Sequence, residues 1–141
     1  MSETQFQIGQ VAERTELSIR TLRHYDEVGL VTPSARSAGG FRLYTEDDVR
    51  RLLVIRRMKP LAFSLDEMRR LLEALDTLAT STSTATERAA ARAFVVECHR
   101  RAEDSCQLLR RQLGYAEELT ELLARLGADT PPDPDDQPSH S

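Results

Sequence analysis

The chain has 141 residues, with 23 Asp and Glu against 19 Lys and Arg; its formal net charge of −4 excludes nucleic-acid binding as a diffuse polycation. With 40% hydrophobic but only 5% aromatic residues, it can build a modest helical core and has little to line a large ligand cavity. No apolar run reaches membrane-spanning length and the first residues, MSETQFQ, lack the pattern of a leader, so a soluble cytoplasmic protein is expected.

The charge is unevenly spread. Residues 1–63 hold 10 Arg and Lys against 8 acids, whereas residues 64–141 hold 9 against 15. Any DNA binding should therefore be local and groove-directed, and it should lie in the first half. There, Ile8, Val11 and Ala12 recur at helical spacing. A break at Thr15-Glu16-Leu17 follows, and Ser18 then stands as an N-cap before Ile19 and Leu22. Two short helices with a small residue (Ala12) at their crossing make a helix-turn-helix. The second helix is expected to bury Ile19, Leu22 and Val28. That would leave Arg20, Thr21, Arg23, His24 and Tyr25 to face outward, a set that suits phosphates and base edges in a major groove.

Gly29 reads as the residue that ends this helix, and Pro33 keeps it from restarting. Gly39-Gly40 can supply the positive φ angles of a tight turn, and Phe41 to Tyr44 alternate with the period of a strand. A hairpin that shows Arg42 and Tyr44, with Arg36 as a further candidate, is a wing placed to grip backbone beside the groove.

Thr45-Glu46-Asp47-Asp48 opens a helix whose buried side is Val49, Leu52, Leu53, Ile55 and Met58. Its arginines read mostly as a solvated face, with Arg56, Arg57 and Lys59 candidates for flanking phosphates. Pro60 closes that helix, and the capping box of Ser64 and Glu67 opens the next, through Met68, Leu71, Leu72 and Leu75. Thr77 to Thr86 is Ser/Thr-rich and reads as a flexible linker, its start a fraying helix.

From Glu87 to Leu126 no proline intervenes and Gly114 is the one glycine, enough for a helix of about 60 Å. An apolar stripe runs from Ala91 through Val95, Cys98, Ala102, Cys106, Leu109, Leu113, Ala116, Leu119 and Leu123 to Leu126. A single helix cannot bury that stripe against itself, so a second copy is the expected partner. Small residues come first and leucines last, which favours antiparallel pairing. The expected interface is Val95, Cys98, Ala102, Leu109, Leu113, Ala116, Leu119 and Leu123. Gly127 is expected to stop the helix, and the proline-rich, acidic end to be disordered.

Read together, these segments resemble the DNA-binding domain of the MerR family of bacterial transcription regulators. IGQVAERTELSIRTLRHYDEVGLVTP and GGFRLYTEDDVRRLLVIRRMKPLAFSLDEMRRLLE carry the resemblance, over roughly half the chain from Phe6 to Leu75. Within them, RTLRHY and GGFRLYTEDDV are the most distinctive. His24 stands where the family commonly has tyrosine, and Ala62 where it usually has glycine. The resemblance implies homodimers joined by an antiparallel coiled coil that bind a two-fold-symmetric operator in an overlong promoter spacer. It also implies that the promoter is distorted so that RNA polymerase can use it. The expected fold is thus mainly α: a winged helix-turn-helix domain over 1–76, a linker over 77–86, a dimerisation helix over 87–127 and an acidic tail over 128–141. Ser18 joins Arg20, Thr21, Arg23, His24, Tyr25, Arg36, Arg42 and Tyr44 as a candidate DNA contact.

The cysteines give no clear sensor. Cys98 and Cys106 lie about 12 Å apart along one helix, too far for an intrachain disulfide. The cysteine pair that metal-sensing members carry past the dimer helix has no counterpart here. His99, Glu103 and Cys106 share a helix face at a spacing that could hold zinc with a fourth ligand, and a cross-chain disulfide is the other chemical option. Small apolar seam residues remain the plainer reading, with no cofactor evident. No nucleophile–base set or phosphate loop suggests an enzyme. The competing function is an architectural, excisionase-like DNA-bending protein without an effector, against which the long helix argues.

Overall fold

The computed structural model describes residues 4–128. It begins with a strand that the sequence reading lacks, β1 (Gln5–Gln7), three residues long and too short to show a period. Helix α1 (Ile8–Thr15) follows directly, the Gln10 side chain accepting from the Gln7 N–H at 2.9 Å. It ends at Glu16, in the left-handed region at φ 59°. Buried Thr15 fastens the turn: its Oγ1 donates to the Val11 carbonyl at 2.7 Å and accepts from the Leu17 N–H at 3.3 Å. Arg56 Nη1 then donates to the Thr15 carbonyl at 3.0 Å, which satisfies an orphan acceptor of α1 and removes Arg56 from the candidate phosphate contacts.

Helix α2 (Ile19–Glu27) is capped as expected, Ser18 Oγ accepting from the Thr21 N–H at 3.0 Å. Its other end is a Schellman closure. The Leu30 N–H bonds the Tyr25 carbonyl at 2.9 Å and the Gly29 N–H bonds that of Asp26 at 3.1 Å, with Gly29 at φ 71°. Arg69 Nη2 donates to the Val28 carbonyl at 2.9 Å, tying a later helix to this terminus.

The wing comprises β2 (Ala35–Arg36) and β3 (Arg42–Thr45), antiparallel, with β1 on the other side of β3. Phe6 pairs with Tyr44 and Arg36 with Arg42. Of the two turn glycines only Gly40 takes a positive φ, at 83°. At Gly39 a Cβ would meet the Phe41 ring at 3.2 Å, so that ring would have to shift by a few tenths of an ångström.

Helix α3 (Glu46–Met58) starts on the Thr45–Asp48 capping box and buries Val49, Leu52, Ile55 and Met58. Asp48 is itself buried; its carboxylate accepts from the N–H groups of Thr45 and Ser34 and from the Ser34 hydroxyl, at 2.8 to 3.0 Å. A short 3-10 turn (Lys59–Leu61) leads to Ala62 at φ 61°, the left-handed geometry that favours glycine. The Ser64–Glu67 box opens α4 (Leu65–Ala79). Val11, Leu22, Tyr44, Leu52 and Ile55 are fully buried and centre the core that these elements share.

Helix α4 runs into the stretch read as a linker, and α5 (Ala85–Ala128) begins before that stretch ends, leaving Thr80 to Thr84 as the connection. That connection is hydrogen-bonded rather than loose. Arg88 gathers the carbonyls of Leu78, Thr80 and Ser83, Ser83 Oγ donates to the Thr77 carbonyl, and Thr84 forms a capping box with Glu87. The acceptors that α4 leaves open meet an arginine from the first turn of α5, a pairing that composition does not reveal. Gly127 does not stop α5, which continues to Ala128 among the described residues. The expected acidic tail lies, from residue 129, outside them. No helix of the described residues is long and apolar enough to cross a membrane.

The chain divides into two units, Met1–Ala102 and Glu103–Ser141. In the first, Ala91 and Cys98 are buried, with Phe94 and Ala102 half-buried against the core. The expectation that Cys98 sits in a dimer seam is therefore corrected: at 6% exposure its side chain is already covered by its own domain. Val95 and Ala102 line a groove of about 320 Å³ with Leu71, Leu75 and Phe63 of that same domain. In the second unit the leucines remain open, Leu113, Leu119 and Leu123 each more than half exposed.

Candidate nucleic-acid interface

The outward face of α2 carries Arg20, Arg23, His24 and Glu27 exposed, with Thr21 half-buried. These five side chains line an open concavity of about 720 Å³. Among the described residues neither Arg20 nor Arg23 has an intramolecular partner. The arginines at structural joints do: Arg14 with Glu46, Arg51 with Asp76, Arg69 with the Val28 carbonyl, Arg101 with Glu67. Holding two unpaired guanidinium groups side by side on one helix face gains nothing for the fold; it suits an anionic partner. Ser18 is largely taken by the fold, since its hydroxyl donates to Thr21 Oγ1 at 2.8 Å while accepting from the Thr21 N–H.

Two expected contacts are corrected. Tyr25 was placed on the exposed face, yet it is only 4% exposed and belongs to the core, while Ile19, expected inside, is 39% exposed. The helix is rotated so that Leu22 and Tyr25, three residues apart, point into the core. Tyr44, paired with Phe6 of β1, is likewise fully buried, and among the described residues its hydroxyl has no hydrogen-bond partner. Burial raises the phenol pKa of both above the ordinary tyrosine value, and Asp26 adds to the effect at Tyr44.

The wing is fastened to α2 by one carboxylate. Asp26 Oδ2 accepts from Arg42 Nε at 2.7 Å and from Arg36 Nη2 at 3.2 Å, and Arg36 Nη1 reaches the Gly40 carbonyl at 3.4 Å. The hydrogen bond to Asp26 holds the Arg42 guanidinium above its ordinary pKa. Asp26 thus links the two candidate elements, a role that sequence reasoning missed. The available signal was an acid in the last turn of a helix that otherwise carries cations, followed within sixteen residues by two arginines of a hairpin. At the wing tip Phe41 is 71% exposed, and it lines a second, smaller recess with Gln7, Gly9, Arg23 and Arg42.

Residues 6–75 match the family model described as MerR HTH family regulatory protein. The chain belongs to the MerR family. It is 46% identical over 68 residues to the HTH-type transcriptional activator mta of Bacillus subtilis, a match covering 48% of this chain and 26% of mta. It is 42% identical over 67 residues to the HTH-type transcriptional regulator ZntR of Escherichia coli, covering 48% of each. The chain spans between about a quarter and a half of the length of the curated relatives it matches. Among solved structures, a MerR family transcriptional regulator from Bacillus cereus superposes with a TM-score of 0.57 at 25% identity, covering 92% of this chain and 88% of that one. The likeness therefore takes in the long helix as well as the MerR helix-turn-helix and wing.

The remaining site expectations concern thiols and metals. Among the described residues no three His, Cys, Asp or Glu side chains converge to hold a metal ion, so His99, Glu103 and Cys106 are not brought together as a ligand set. Both cysteines are free thiols. Burial pushes the Cys98 thiol up from its ordinary pKa, which keeps it protonated and poorly nucleophilic.

Proposed function

We propose that this chain is a sequence-specific, DNA-binding transcription regulator of the MerR type. In this reading it binds a two-fold-symmetric promoter operator as a homodimer. Arg20, Thr21, Arg23 and His24 enter the major groove, while the wing, held by Asp26, sets Arg36, Arg42 and the Phe41 tip against the flanking backbone. Tyr25 and Tyr44 support the two elements from inside. The observation that carries this reading is the pair of unpartnered arginines on the outward face of α2. Arg20→Ala should weaken operator binding by ~1–3 kcal/mol if the guanidinium reads a base, measured by gel shift at fixed salt. Unchanged affinity would remove it from the interface.

The dimer contact in this reading is narrower than the stripe seen in sequence. Leu109, Leu113, Ala116, Leu119 and Leu123 supply it, and Cys98 does not. Several leucines more than half exposed along one helix are the surface a second copy would cover, each contributing on the order of 1–2 kcal/mol when fully buried. RNA polymerase and distorted promoter DNA are the further partners, in the cytoplasm, and the reading gives the chain no enzymatic step. Sedimentation of the full chain tests the dimer: Leu119→Asp combined with Leu123→Asp should yield monomer, and an unchanged dimer would place the contact elsewhere.

A further inference from the structure

We propose that His24 makes operator binding proton-coupled, the imidazole entering the DNA groove as an imidazolium so that the protein takes up a proton as it binds. The inference rests on the groove reading above and deepens it.

His24 is exposed on the face of α2 that points away from the core. The concavity it lines is made by α2 alone, with Arg20, Arg23 and Glu27 as its charged neighbours and Thr21 beside them. Buried Tyr25 is the aromatic neighbour, its ring centroid 6.2 Å away and tilted by 44°. No charged group from another element lines that concavity. Among the described residues neither ring nitrogen has a hydrogen-bond partner, so both are open to a partner in the groove.

The physics of the complex then decides. Arg20 and Arg23 keep their charge at every pH of interest, and imidazole is the one side chain of this face that changes charge between pH 5 and 8. A duplex presents one phosphate charge per ~1.7 Å of axis, and negative charge within a few ångströms favours the protonated ring. The imidazolium also gains a second N–H donor, which suits the paired acceptors N7 and O6 of guanine. Affinity is therefore expected to rise as pH falls, with a slope of no more than one proton per protomer.

The test is equilibrium binding of the full chain at constant ionic strength from pH 5.5 to 8.5. The probe is a duplex that the protein itself enriches from a random pool. Wild-type Kd is expected to rise several-fold per protomer contact between pH 5.5 and 8.5, with about tenfold the ceiling for a one-unit shift in proton affinity on binding. His24→Gln should bind with a flat profile, while His99→Gln and His140→Gln keep the wild-type slope. A flat wild-type profile, or a slope that survives His24→Gln, overturns the proposal. Arg20→Ala separates the two levels: it should weaken binding at every pH and leave the slope in place. Full affinity in Arg20→Ala would undo the groove reading and this proposal with it.

Discussion

Arg42 on the wing and Asp26 on α2 meet at 2.7 Å, nitrogen to oxygen, with Asp26 only 13% exposed in its side chain. The residues that would touch DNA are thereby divided between two elements whose relative placement depends on a single carboxylate shared with Arg36. Replacing Asp26 by Asn removes the charge and keeps the shape. Operator affinity should fall several-fold, and stability by up to about 1.5–3 kcal/mol, the net worth of a hydrogen bond to a charged group. Gel shift and urea unfolding measure the two. Unchanged affinity would mean that the wing finds its place without this link.

Tyr44 offers the opposite experiment. Its buried hydroxyl has no partner, so Tyr44→Phe removes a polar atom the fold does not use. Stability should hold or rise by up to about 1 kcal/mol, with operator affinity within twofold of wild type. A drop in affinity would restore this tyrosine as a phosphate contact.

Ala62 sits at φ 61°, where a Cβ is unfavourable. Ala62→Gly should therefore stabilise the protein, by about 0.5–1 kcal/mol after the greater freedom of glycine in the unfolded chain is allowed for. The midpoint of urea unfolding reads this directly, and a lower midpoint would contradict it.

The acid limb of stability has two named contributors. The Arg14 guanidinium, bonded at 2.6 and 2.8 Å, holds the Glu46 carboxyl below its ordinary value, and the Thr84 backbone and hydroxyl do the same for Glu87. Because both folded values are depressed, their contribution is present above the ordinary carboxyl pKa and lost as pH falls through the folded ones. Glu46→Gln and Glu87→Gln should each lower the melting temperature near pH 6 and narrow the gap to wild type as pH falls below 4. A gap that stays constant with pH would assign the loss to something other than charge.

Much of this was legible because it is local. Ser18, Thr45 with Asp48, and Ser64 with Glu67 declare helix starts within four residues, and Gly29 declares a helix end through φ. What escaped depends on contacts far apart in the chain. Tyr25 and Tyr44 are polar enough to face DNA, and both are buried in the core that the helices and the sheet share. The Ser/Thr-rich connection looked flexible until Arg88, up to ten residues away, was seen to bind its carbonyls. Cys98 belongs to a stripe with one period but two fates, since its first part is covered by its own domain. On α2 the residue types match the expectation but the helix is rotated about its axis, burying Tyr25 where Ile19 was expected.

The most direct measurement is selection of duplex DNA from a random pool by the full chain, followed by titration of the enriched sequence against its scramble. The account predicts enrichment of an inverted repeat, bound by two protomers, with preference over the scramble lost in the Arg20→Ala, Arg23→Ala double variant. No enriched sequence, or an enriched one that the double variant binds as tightly as wild type, would contradict the assignment of α2 as the reading element.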